Sequence, residues 1–104
     1  MKSEEQNGEN AWSEWIDFDQ SSITKAAIPD LPGVFKVHAS MKILYIGSTM
    51  KLRQSLLESL SDLCVGKAKR FSYLLTEKAE QVRDQLLKEY RENHGGNMPG
   101  CMDK

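Results

Sequence analysis

Charge of one sign is what this sequence most plainly lacks. Its 14 Lys and Arg residues face 15 Asp and Glu, a formal net charge of -1. That balance excludes a chain held on polyanions by its overall field, so any nucleic-acid surface must be local. Long apolar runs are missing too, and nothing approaches the roughly 20 residues needed to cross a bilayer. Cysteine is scarce. Cys64 and Cys101 stand far apart with no CxxC pair. They leave a disulfide open but read first as two free thiols in a reducing compartment. His38 and His94 do not fall at metal-ligand spacing from them. The first ten residues are polar and acidic, the wrong chemistry for a secretory or transit leader. The cytoplasm is therefore the expected location, with no membrane partner.

What is present suffices for one domain of 104 residues, 39% hydrophobic. Residues 1–10 hold no aliphatic residue beyond the initiator and read as a disordered tail, leaving 11–104 as the single domain. Trp12, Trp15, Ile16 and Phe18 then concentrate apolar mass. They are expected to pack as a lid, the alternative being an aromatic stacking platform for bases. Ser22–Ala27 reads as a short helical turn, and Ile28-Pro-Asp-Leu-Pro-Gly33 as loop. Gly33–Ala39 alternates with period two, and Lys42–Gly47 is apolar, so the two predict an antiparallel hairpin. Leucines at helical spacing predict a helix over about Met50–Val65, stopped by Gly66. Phe71–Leu75 is expected as a third strand and Glu77–Asn93 as a second long helix, its apolar face set by Ala79, Val82, Leu86 and Tyr90. The order is β-β-α-β-α. It implies an α/β (α+β) domain with a small three-stranded antiparallel sheet flanked by helices.

Gly33-Val-Phe35 is followed, after nine residues, by Tyr45-Ile-Gly47. Leu31-Pro introduces the first triplet, Leu52 opens a helix after the second, and Leu86-Leu-Lys-Glu-Tyr90 lies on the last helix. On these residues the chain, from about Trp12 to Asp103, resembles the GIY-YIG nuclease family in degenerate form. The tail from Tyr90 through His94 and Pro99 to Cys101 is similar to a small, mostly archaeal single-domain branch. The resemblance implies a GIY-YIG-like fold. It also implies magnesium-dependent hydrolysis of a DNA phosphodiester, in which a tyrosine or metal-bound water handles the proton, an arginine offsets phosphate charge and a glutamate holds the metal. An anionic diester needs positive charge and an activated water before attack can occur.

Carried over position by position, that machinery is mostly lost. Gly33 and Gly47 keep the motif's backbone shape and Tyr45 keeps its hydroxyl. Tyr45 is the one retained catalytic candidate. The first-triplet tyrosine falls on Phe35, which cannot donate, accept or ionise. The arginine falls on Ser55, no substitute for a guanidinium. Arg53 is a weak stand-in, because two residues along a helix is about 200° of rotation. The glutamate falls on Arg83, whose charge repels the metal it would replace. Glu80 and Asp84 are displaced alternatives, and a terminal asparagine falls near Met102. The expectation is thus a catalytically impaired or inactive domain that binds DNA or other nucleic acid through Arg83, Lys51, Arg53, Lys67, Lys69 and Arg70, with no cofactor. Arg83 is expected to share a cleft with Tyr45 and to hold a phosphate there. A divergent endonuclease, which alone would need magnesium, and a scaffold for an unknown protein partner anchored by Trp12, Trp15 and Phe18 are the alternatives.

Overall fold

The computed structural model describes residues 12–40 and 42–102, so the expected tail over 1–10 lies outside the described residues. The elements follow in the order β1 (Ile16–Asp17), α1 (Gln20–Lys25), β2 (Gly33–Ala39), β3 (Lys42–Thr49), α2 (Leu52–Ser59), β4 (Arg70–Leu75) and α3 (Ala79–Asn93). The four strands form one antiparallel sheet in the order β1-β4-β2-β3.

The hairpin and the third strand stand where the period-two runs place them. The sheet nevertheless has four strands, not three. The extra one, β1, is only two residues long and pairs Ile16 with Phe71 and Asp17 with Arg70. No alternation announces so short a strand. Its pairing joins segments more than fifty residues apart, and Ser13 extends it by donating its N–H to the Tyr73 carbonyl at 2.9 Å.

Alternation along β2 divides the core. Phe35 and Val37 point to one face, where they meet Phe71 of β4, Phe18, Ile23 of α1, and Leu52 and Leu56 of α2. Val34 points to the other, where Ile46, Ala79, Val82 and Leu86 gather under α3. The long helices therefore cover opposite faces of the sheet. Gly33 is required where α2 approaches, since a Cβ there would lie 2.5 Å from both the Leu52 Cδ1 and the Leu74 carbonyl oxygen.

Two expectations are corrected. The helix expected to reach Val65 ends at Ser59. Its last turn is drawn off into local side-chain bonds: Ser59 Oγ donates to the Ser55 carbonyl, and Asp62 Oδ1 accepts from the Cys64 and Val65 N–H groups at 2.8 and 2.9 Å. Leu63, counted in the leucine stripe, is 91% exposed.

The two cysteines are not free. Cys64 and Cys101 form a disulfide, their Cα atoms 5.7 Å apart. Wide separation in sequence hid this, because the closure depends on the chain after α3 returning beside β3. There Gly100 and Cys101 donate to the Ile43 and Leu44 carbonyls, and Pro99 is fully buried. A bridged pair persists in oxidising surroundings. The cytoplasmic expectation, which leaned on free thiols, loses that support. Among the described residues, no helix is long and apolar enough to cross a membrane.

Candidate functional site

Tyr45 sits on β3 opposite Val37, one position diagonal to Phe35, and the two rings lie 5.7 Å apart between centroids. Gly47 makes room for them: a Cβ at that position would run into the Tyr45 ring and come 3.1 Å from Phe35 Cζ. The intact second triplet thus has a packing reason independent of chemistry. Beside these rings opens a cleft of about 480 Å³, lined by Phe35, Tyr45, Ser48, Ser55, Glu58, Ser59, Ser61, Asp62 and Val65. The residues carried over as Phe35, Tyr45 and Ser55 therefore do converge, brought together by the hairpin and the first turns of α2.

Among the described residues, no Lys, Arg or His lines this cleft, whose only charged groups are the carboxylates of Glu58 and Asp62. Its hydroxyls are largely engaged within the fold. Ser55 Oγ pairs with Thr49 Oγ1, which also accepts the Lys51 N–H at 3.0 Å. Where the family resemblance asks for a guanidinium, this chain braces a strand-to-helix junction.

Arg83 does not line the cleft. It rises from α3 on the opposite face and donates to Ser48 Oγ at 3.1 Å, so it touches the outside of one cleft wall. The same guanidinium donates twice to Asp84, and the ion pair at 3.0 Å already supplies an anion. Register on α3 placed Arg83 correctly at the border of the buried face, but the sheet stands between that face and the Tyr45 ring. Arg53 is exposed on the first turn of α2 and is not among the cleft residues. Met102 Sδ lies 3.5 Å from the Ile46 N–H and accepts from it.

The cleft residues do not fit a magnesium ion of the kind the resemblance implies. Asp84 is paired to Arg83, Glu80 lies by Thr49 and Met50 outside the cleft, and Asp62 is committed to two backbone amides. The described residues hold no group of three His, Cys, Asp or Glu side chains placed to share a metal.

The expected basic approach splits in two. Gly33 pairs with Thr49 and Leu75 at one end of the sheet, and His38 pairs with Arg70 at the other. Lys51 and Arg53 belong to the first end, and Lys67, Lys69 and Arg70 to the second. Between them β2 spans about 20 Å.

A different cluster went unseen in the sequence. Trp12 and Trp15 lie on the α3 face, while Phe18 enters the core on the other, so the aromatic segment is no single lid. Lys36 Nζ sits 4.3 Å from the Trp12 ring centroid and 5.7 Å from that of Trp15. Trp15 meets His38 edge-on at 4.1 Å. Burial against these rings holds the Lys36 ammonium below its ordinary pKa. Period two did mark Lys36 and His38 as neighbours on one face. The β1–β4 pairing that carries the tryptophans over them is non-local and left no sequence signal.

Comparison with family models, curated proteins and solved structures returns no match.

Proposed function

We propose that this chain is a GIY-YIG-like domain that binds nucleic acid without cutting it. The observation that supports this reading is the lining of the Tyr45 cleft. A phosphodiester entering it would meet the carboxylates of Glu58 and Asp62 in the lining and no lining cation, the Arg83 guanidinium beside Ser48 being already paired to Asp84. Charge would then build on the transition state with nothing to offset it, and removing even one oxyanion donor from an active site commonly costs about 10²–10³ in rate. Tyr45 alone supplies neither a metal nor a guanidinium. Binding falls instead to the basic groups at the His38 end of the sheet, where Lys67, Lys69 and Arg70 are all exposed. The test is an assay on branched, nicked and single-stranded DNA, with and without Mg²⁺ or Mn²⁺. Retention without cleavage is expected, and metal-dependent cleavage abolished by Tyr45→Phe would overturn the reading.

A scaffold for a protein partner is the second reading. It is favoured by Leu31 and Met50, 53% and 73% exposed and close in the fold, since the Leu52 N–H donates to the Leu31 carbonyl. Absence of binding to every nucleic acid tested would leave this one standing.

A further inference from the structure

We infer that the sheet face carrying Trp15, Lys36, His38 and Arg70 is a binding surface for single-stranded nucleic acid, on which an unpaired base stacks against Trp15 while its phosphates meet Lys36 and Arg70. The inference rests on the nucleic-acid reading above but moves the contact to the sheet face opposite the Tyr45 cleft.

The placement is built by the sheet. Lys36 and His38 project from β2 on one face, and His38 pairs with Arg70 of β4. The chain before β1 is tied down beside them. Ser13 donates its N–H to Tyr73 and accepts the Tyr73 N–H at 3.0 Å, and buried Ser72 donates to the Ser13 carbonyl at 2.7 Å. Trp15 thereby lies between two tied points, Ser13 and Ile16, rather than on a free arm. It remains 44% exposed, and its contact with His38 is edge-on, at an interplanar angle of 89°. The indole keeps aromatic surface to offer beside the Lys36 ammonium, 5.7 Å from its centroid, whereas Trp12 is packed against the α3 cluster with Lys36 at 4.3 Å.

Charge complements the ring. Lys36 and Arg70 project on this face, opposite Ser72 and His38, against Asp17, which pairs with Arg70, and Glu89, which lines the groove beside Trp12. The Arg70–Asp17 pair is loose, at 3.6 Å with side chains 60% and 68% exposed, so a phosphate can compete for that guanidinium. Stacking on an exposed aromatic beside basic groups suits unpaired bases, since duplex bases are stacked on one another and present only their edges.

The experiment measures anisotropy of fluorescein-labelled oligothymidylate and of a duplex of equal length, with the full chain as it exists. Binding of the single strand in preference to the duplex is expected, with a log–log salt slope of about -1.4 if two phosphates are neutralised. Trp15→Ala should weaken it about tenfold or more, and Trp15→Phe should restore most of the loss. Arg70→Ala should flatten the slope by about 0.7, and Lys25→Ala, on α1 at the other face of the sheet, should change nothing. Far-ultraviolet circular dichroism checks that each variant folds. Equal affinity of Trp15→Ala and the native chain overturns the stacking surface while leaving nucleic-acid binding elsewhere. Preference for duplex overturns it in the same way. Binding to neither probe overturns both this inference and the reading it rests on.

Discussion

The Phe35–Tyr45 ring pair was legible in the sequence, because two period-two strands joined by a short turn leave few ways for diagonal residues on one face to avoid each other. Gly47 extends the point. With Tyr45 and Phe35 crowding its Cα, Gly47→Ala must push rings or backbone, and overpacking of this kind costs about 1–3 kcal/mol. Urea unfolding should show that loss, and unchanged stability would mean the rings yield freely. Asp19 allows a second residue-scale prediction. The Ser22 N–H it accepts at 2.8 Å, more than the Ser22 hydroxyl or Lys25, holds its carboxyl below the ordinary value of 3.8. A depressed carboxylate stabilises the fold above its unfolded pKa and stops doing so as pH falls through the folded one. Asp19→Asn keeps a capping oxygen that does not titrate. The stability difference between native and variant should therefore be constant above about pH 5 and change progressively as pH falls below it, through the unfolded and then the folded pKa, as urea melts across that range would reveal. Lys36 between its tryptophans was not legible at this scale, since nothing local to Lys36 says which distant segment will lie over it.

Elements were legible where periodicity is strong and obscure where it competes with side-chain chemistry. β2, β3, β4 and α3 lie within a residue or two of expectation, each carried by a buried alternating or helical stripe. α2 is the exception. Its leucine stripe continues past Ser59, but Ser59, Ser61 and Asp62 offer the backbone other partners, and the helix stops. Leu56 and Leu63 are one stripe in the sequence and two environments in the fold, 0% and 91% exposed. Leu56→Ala should cost about 2–5 kcal/mol, within the range for buried leucines, and Leu63→Ala less than about 0.5 kcal/mol. Comparable losses in denaturant midpoint at the two positions would restore the longer helix.

For the molecule as a whole, the unread feature is closure. The order of elements foretold a sheet flanked by helices, but not that the chain after α3 returns to lie against β3 and is bridged back to Cys64, 37 residues earlier. A cross-link over a loop of that length commonly adds about 2–4 kcal/mol, on one account by narrowing the unfolded ensemble. The Cys64→Ser, Cys101→Ser variant should lose stability on that scale. The amides of Gly100 and Cys101, bonded to β3, should also exchange faster with solvent than in the bridged protein. Equal melting of oxidised and reduced protein would show the link to be incidental. The cleft partners were legible, since Phe35, Tyr45 and Ser55 do share a wall. The cleft's acidity was only half legible: Glu58 follows Ser55 by one turn on α2, but Asp62 joins only through the way α2 ends.

Residues 100–102 also cover backbone groups at the open side of the sheet. Their hydrogen bonds occupy the outer margin of β3, at Ile43, Leu44 and Ile46, and the opposite margin of the sheet is β1, only two residues long. An open strand margin is a template on which a neighbouring molecule can add a strand, the first step towards fibrils. This sheet keeps one margin covered and the other too short to build on. Prolonged reduction is therefore expected to loosen the cover and raise light scattering at high protein concentration, and unchanged scattering would show that the cover holds without the cross-link at Cys101.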